Sequence, residues 1–228
     1  MNARITAIIA LLSLAVLLSP AAAAHRMVWD DQSHVDAAHA IEIDDVSISQ
    51  VVYHEVTDAS PQIWLAFDGQ EGQSFYMQLG VPYMERLRDY HPSLALIGPG
   101  LPVPAADLPF DLPAGCGILR IDTDAIEPEY FDEVFTGTES WIYVEHEQDL
   151  PATGQYYLVG FHPTGETGKL WVSVGRTEKF GVSDILTFGR VVRAVRDFHE
   201  VGGLTTSLVV FYALIAALPL FFLGLIAG

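Results

Sequence analysis

The groups in this 228-residue chain that could do chemistry are eight histidines, one cysteine and 29 carboxylates. His25 stands out because of what precedes it. Arg4 is followed by an apolar run from Ile5 to Leu18, then Pro20 and the small residues Ala22, Ala23 and Ala24. That order is a charged segment, an apolar segment and an Ala-x-Ala cleavage site, so residues 1–24 are expected to be a removable signal peptide. Cleavage after Ala24 would make His25 the first residue of the mature chain. Its α-amine and imidazole would then chelate Cu(II) in a plane that a second histidine completes. His34 and His39 follow nearby as candidate partners, and His54, His146 and His162 sit on predicted strands or their ends.

This N-terminal arrangement resembles the histidine brace of copper-binding periplasmic proteins and copper monooxygenases. The likeness rests on the mature terminus alone, since no motif places the partner histidines. The simpler reading of residues 25–40 is a flexible polar linker with scattered histidines. Calcium is the other cation considered. Asp122, Asp124, Glu127, Glu129, Asp132 and Glu133 form an oxygen-rich stretch. It lacks the Asp-x-Asp-x-Asp-Gly loop of a calcium-binding hand, so a solvated acidic edge explains it more simply.

Other groups promise less. Cys116, the sole cysteine, lies in Ala-Gly-Cys-Gly and reads as a buried structural thiol. Gly165-Glu-Thr-Gly-Lys169 is too short for a phosphate loop. There is no Gly-x-Ser-x-Gly elbow and no His-Glu-x-x-His helix. Trp64, Tyr76, Trp141, Tyr156, Tyr157 and Trp171 could form a sugar-binding face, but at strand spacing they read as core. The formal net charge of −18 disfavours nucleic acid as a partner.

The elements that must carry these groups read mostly as strands. Gln50–Thr57, Gln62–Asp68, Gln73–Val81, Ser93–Ile97, Gly117–Asp122, Ser140–Glu147, Gln155–Phe161 and Lys169–Val174 are rich in β-branched and aromatic residues. Asp68-Gly69, Gly98-Pro99-Gly100 and Pro163-Thr-Gly-Glu-Thr-Gly supply turns between them, and Pro82–Tyr90 hints at a short helix. About eight strands joined by turns predict an all-β fold, an antiparallel sandwich of jelly-roll or immunoglobulin-like form, over residues 41–178.

Residues 183–200 predict an amphipathic helix. Ile185, Phe188, Val191, Val192, Val195 and Phe198 fall on one arc, and Arg190, Arg193 and Arg196 on the other. That helix would pack on the β domain, or lie on a membrane with its arginines on lipid phosphates. An uncharged stretch over 204–227, including Leu208, Phe211, Leu214, Pro219 and Phe222, predicts a transmembrane helix and hence a single-pass protein with most of its chain outside the cytoplasm.

The last predicted hairpin carries a further resemblance. Leu150-Pro-Ala-Thr-Gly-Gln-Tyr-Tyr-Leu-Val-Gly, followed by Gly168-Lys-Leu-Trp-Val-Ser-Val-Gly, is similar to the closing strands of bacterial pre-peptidase C-terminal-type domains. It covers residues 150–175, and the Pro-rich stretch Pro99-Gly-Leu-Pro-Val-Pro departs from that family's pattern. The resemblance implies a small β-sandwich that acts as an accessory or binding module. The sequence thus predicts a membrane-anchored extracytoplasmic binding or interaction module, with copper handling through His25 as the alternative. No cofactor is required. The lipid bilayer and another envelope protein are the expected partners.

Overall fold

Side chains at alternate positions of a strand point to opposite faces, and this chain repeatedly places large apolar residues at every second position. The computed structural model describes residues 25–103, 107–179, 182–203 and Val209. Among these, eleven strands form: β1 (Arg26–Val28), β2 (Ile41–Glu42), β3 (Gln50–Val56), β4 (Gln62–Gly69), β5 (Ser74–Pro82), β6 (Ser93–Gly98), β7 (Gly117–Ile121), β8 (Glu129–Glu133), β9 (Thr138–Asp149), β10 (Gly154–Phe161) and β11 (Gly168–Val174). One helix, α1, spans Val182–Phe198.

The strands build two sheets. One has the order β1-β3-β11-β5-β9-β8, the other β2-β4-β10-β6-β7. The short β1 and β2 run parallel to their neighbours β3 and β4, and the other pairs are antiparallel. Val52, Leu79 and Val172 of the first sheet meet Leu65, Leu96 and Leu158 of the second in one core, so the sheets lie face to face. Phe67 stacks on Phe75 across this interface at 4.4 Å. A second apolar layer covers the far face of the five-stranded sheet, where Trp64, Tyr157 and Phe161 pack under Leu108, Phe110 and Leu112.

All eight strands expected from the sequence are present, with ends within two residues of those expected. Three more were not expected. β1 and β2 are too short to show a period, and β8 reads Glu-Tyr-Phe-Asp-Glu, whose acidic residues disguise an edge strand. The helix expected at Pro82–Tyr90 is a single 3₁₀ turn at Glu85–Leu87.

The expected membrane anchor is corrected. Among the described residues no helix is long and apolar enough to cross a membrane. α1 has 17 residues and carries Arg190, Arg193 and Arg196, whereas a span needs about 20 predominantly apolar ones. The expected signal peptide over 1–24 lies outside the described residues, as does the 204–227 stretch apart from Val209, including Leu208, Phe211, Leu214, Pro219 and Phe222. The transmembrane part of the expected fold class and the single-pass membrane location do not stand.

α1 instead packs on the outer face of the six-stranded sheet. Val192 and Val195 are buried there. Phe198 meets the Tyr53 ring at 5.1 Å, and the Lys169 ammonium donates to the Phe198 carbonyl at 2.9 Å. In residues 25–40, expected as a flexible linker, β1 and a buried pair, His54 Nδ1 to Asp30 Oδ2 at 2.7 Å, join the same sheet, while the His34 carbonyl accepts from the Trp64 N–H of the five-stranded sheet at 2.9 Å.

Candidate ligand-binding cleft

The outer face of the six-stranded sheet holds a cavity of about 240 Å³. Its position follows from strand parity. In β3 the residues Val52 and Val56 face the core, so Val51 and Tyr53 face outward and form part of the cavity floor. Tyr76 and Gln78 of β5 and Trp171 of β11 continue that floor, and Phe131, Glu133, Ser140 and Ile142 of the β8–β9 hairpin form a wall. His25, Ser49, Arg176 and Glu178 also line it, as does His199, just past the end of α1.

Gly80 lets the floor lie flat. The Trp171 indole crosses it so closely that an added Cβ would sit 2.1 Å from Trp171 Cζ2. From there a bonded chain leads to the helix. The Trp171 indole N–H donates to Ser140 Oγ at 3.1 Å, and the Ser140 hydroxyl donates to His199 Nε2 at 3.2 Å. His199 Nδ1–H donates to the Val195 carbonyl at 2.8 Å. These bonds suit a neutral imidazole, and burial lowers the His199 pKa to about 4. A base that weak, held from behind by a backbone carbonyl, is poorly matched to activating a serine at neutral pH. Ser140 and His199 therefore act as a latch between β9 and the end of α1.

The electrostatics of the cleft favour positive charge. Burial raises the Glu133 pKa, and the nearby Asp132 and Glu178 carboxylates raise it further, against the lowering effect of a bond from the Phe135 N–H. Tyr53 is raised by burial and, to a lesser extent, by the Glu133 carboxylate. His25 is pulled down by burial, and its Nδ1 bonds to Ser49 Oγ. Arg176, which also lines the cleft, is already partnered: it lies 4.0 Å from the centre of the Tyr76 ring, 3.2 Å from Glu145 Oε1 and 3.8 Å from Glu147 Oε2. Among the described residues Glu133 and Glu178 enter no ion pair. Two carboxylates, two imidazoles, a guanidinium and aromatic walls thus share one small cavity.

The structure scatters the other expected site residues. His34 Nδ1 bonds to the His39 carbonyl at 2.6 Å, and the His39 ring bonds to Asp36 at 2.7 Å, so neither joins His25. Asp30, Asp31 and His34 do bring ligand atoms within 4.8 Å of one another. Yet Asp30 already accepts from His54 and Gln32, and Asp31 from Ser33, so a metal would have to displace those bonds. The acidic stretch expected for calcium is split by β8, whose alternation sends Phe131 and Glu133 to the cleft and Tyr130 to the other face. Asp122 is occupied by Arg120 and Ser93.

The three arginines do not share a face. Arg190 lies over the Trp29 ring at 4.7 Å and Arg193 is exposed, whereas Arg196 is buried and bound by four backbone carbonyls. Of the aromatics considered as a sugar face, Trp64, Tyr76, Tyr156, Tyr157 and Trp171 are buried and Trp141 is partly exposed.

Sequence reasoning did not single out Tyr53, Glu178 or His199 as site residues. Period-2 alternation in β3 would have turned Tyr53 outward with Val51. The local sequence carries no sign that Glu178 and His199 approach the same face.

No protein-family model and no curated protein matches the chain. Among solved structures it is similar to mercury-soaked MopE, a secreted protein of Methylococcus capsulatus in which an oxidized tryptophan facilitates copper binding. The two are 13% identical over 51% of this chain and 70% of that one, with a TM-score of 0.23, which is too low to carry an argument about fold or function.

Proposed function

We propose that this protein is a binding module that takes a small cation into the outer-face cleft of its six-stranded sheet. The observation that carries this reading is the pairing of Glu133 with Glu178 in a cavity walled by Tyr53 and Trp171. Carboxylates supply the charge, and aromatic faces add cation–π attraction in a partly desolvated site. An accessory or binding role is also what the pre-peptidase C-terminal-type resemblance of residues 150–175 implies.

The placement of His25 favours a more specific form of the same reading, with copper as the cation. If the chain is cut after Ala24, the new α-amine begins at the cleft, next to the backbone bond from Arg26 N–H to the Ser49 carbonyl. The amine and imidazole of His25 would supply two nitrogen ligands, and a cleft carboxylate could complete the set. His34 and His39 have no part in it.

Calorimetric titration of the chain starting at His25 distinguishes these forms. With Cu(II) as probe, the copper reading predicts that one extra N-terminal residue weakens binding at least 100-fold. With tetramethylammonium as probe, the broader reading predicts binding that survives the extension and falls about tenfold in Glu133→Gln. Because Glu133 is raised, affinity for either cation is expected to climb as rising pH ionises it. Absence of binding by both probes, or binding untouched by Glu133→Gln and Glu178→Gln together, would overturn the cleft assignment.

A further inference from the structure

On the opposite face of the β8–β9 hairpin, three aromatic rings meet at the surface. Tyr83 touches Tyr130 at 5.3 Å and 84°, and Trp141 at 4.6 Å and 49°. Tyr83 is 48% exposed and Tyr130 51% exposed, whereas the other tyrosines among the described residues are largely buried. Sheet pairing assembles the group: Tyr130 lies opposite Trp141 in the β8–β9 register, and the Tyr83 N–H bonds to the Glu139 carbonyl at 2.9 Å. Trp141 also packs against the main core, so the platform is anchored from beneath.

A carboxylate completes the surface. The Tyr130 hydroxyl donates to Glu139 Oε1, a bond that pushes the phenol pKa up to about 12 and keeps it a donor at neutral pH. Glu139 is itself exposed. The protein displays the filled counterpart of this arrangement elsewhere. At Tyr76, a tyrosine faces Glu145, and the Arg176 guanidinium lies over the ring while reaching that carboxylate. Among the described residues no cation lies over Tyr83, Tyr130 or Trp141. The nearby Arg86 and Arg88 are paired with Glu200 and Glu85.

We propose that Tyr83, Tyr130, Trp141 and Glu139 form a docking site for an arginine side chain in a basic segment of a partner protein. A guanidinium can stack on an aromatic face while it forks onto a carboxylate, which the compact lysine ammonium cannot do as well. The formal charge of −18 draws a basic segment towards this surface and repels a second copy of the same chain. The site lies across the hairpin from the cleft and does not depend on it.

The test uses a blocked tetra-arginine peptide, with the ¹H–¹⁵N signals of the protein as readout. Signals of Tyr83, Tyr130 and Trp141 are expected to shift together. A tetralysine peptide should bind at least fivefold more weakly, Glu139→Gln should weaken tetra-arginine binding about tenfold, and Tyr130→Ala should abolish it. Glu133→Gln, in the cleft, should leave it unchanged. Equal affinity for the two peptides would reduce the effect to net charge and overturn the proposal, as would unchanged binding by Glu139→Gln. Shifts produced by a neutral oligosaccharide but not by the peptide would reassign the surface to glycans and overturn it as well.

Discussion

Acidification from pH 7 to below pH 4 is expected to cost the protein about 3 kcal/mol through His199 alone. The folded-state pKa of His199 is about 4, against about 6.5 for an unperturbed imidazole. Unfolding therefore takes up a proton in this window. The contribution is fully present above pH 6.5 and is lost as pH falls through 4. Its main cause is burial, with Lys169 disfavouring a second cation nearby, while the Val195 carbonyl works the other way. Charging the ring would also turn the Nε2 acceptor of the Ser140 hydroxyl into a donor. Glu200, lowered by bonds from Lys169 and Arg86, loses stability in the same direction. The His199 share is thus isolated by comparing urea unfolding of the wild type and His199→Gln at several pH values. The variant should be less stable at pH 7 and show a shallower decline between pH 6.5 and 4. Parallel curves would rule out the buried neutral imidazole.

Replacing Arg196 with methionine is expected to destabilise the fold by about 3 kcal/mol and to loosen the end of α1 from the sheet. Arg196 Nη1 donates to the carbonyls of Thr136 and Gly137 at 2.7 and 3.0 Å. Nη2 donates to Gly202 at 2.6 Å, and Nε to Gly203 at 3.3 Å. One planar fork thus joins the β8–β9 turn to the segment after the helix. Hydrogen bonds from a charged donor are each worth more than neutral ones, and losing the donor leaves the buried Thr136 carbonyl unmatched. Methionine preserves much of the stem packing, so the loss reports the guanidinium rather than the volume. Arg196→Lys should recover less than half, because an ammonium cannot reach all four carbonyls in their fixed directions. The check is the urea midpoint, together with amide exchange at Val195 and His199. A loss under 0.5 kcal/mol in the methionine variant would show that the fork does not hold the helix.

Arg196 also shows where sequence reasoning fell short. Grouped by charge, it joins Arg190 and Arg193 on a solvent-facing arc. On a helical projection, however, it lies ~40° from Val192, at the margin of the apolar stripe. The position was legible, but the carbonyl cage that makes burial tolerable was not. Two of its partners belong to a turn 60 and 59 residues earlier. His25 followed a similar course. Its chemical interest came from the residues around it in sequence, whereas the structure bonds it to Ser49 and sets it in the lining of a cavity with Glu133 and Glu178.

What the amino-acid sequence determined on its own was the set of longer strands and the face each turns inward. Those follow from period-2 side-chain direction and from turn residues, both local properties. Only the tertiary structure decided which outward faces lie side by side. The order β3-β11-β5-β9-β8 brings Tyr53, Trp171, Tyr76, Ser140 and Glu133 onto one surface, and α1 then folds His199 against it. Such neighbours are set by pairing between distant segments, and their free energy comes from burial shared across both sheets, which no single stretch of residues encodes.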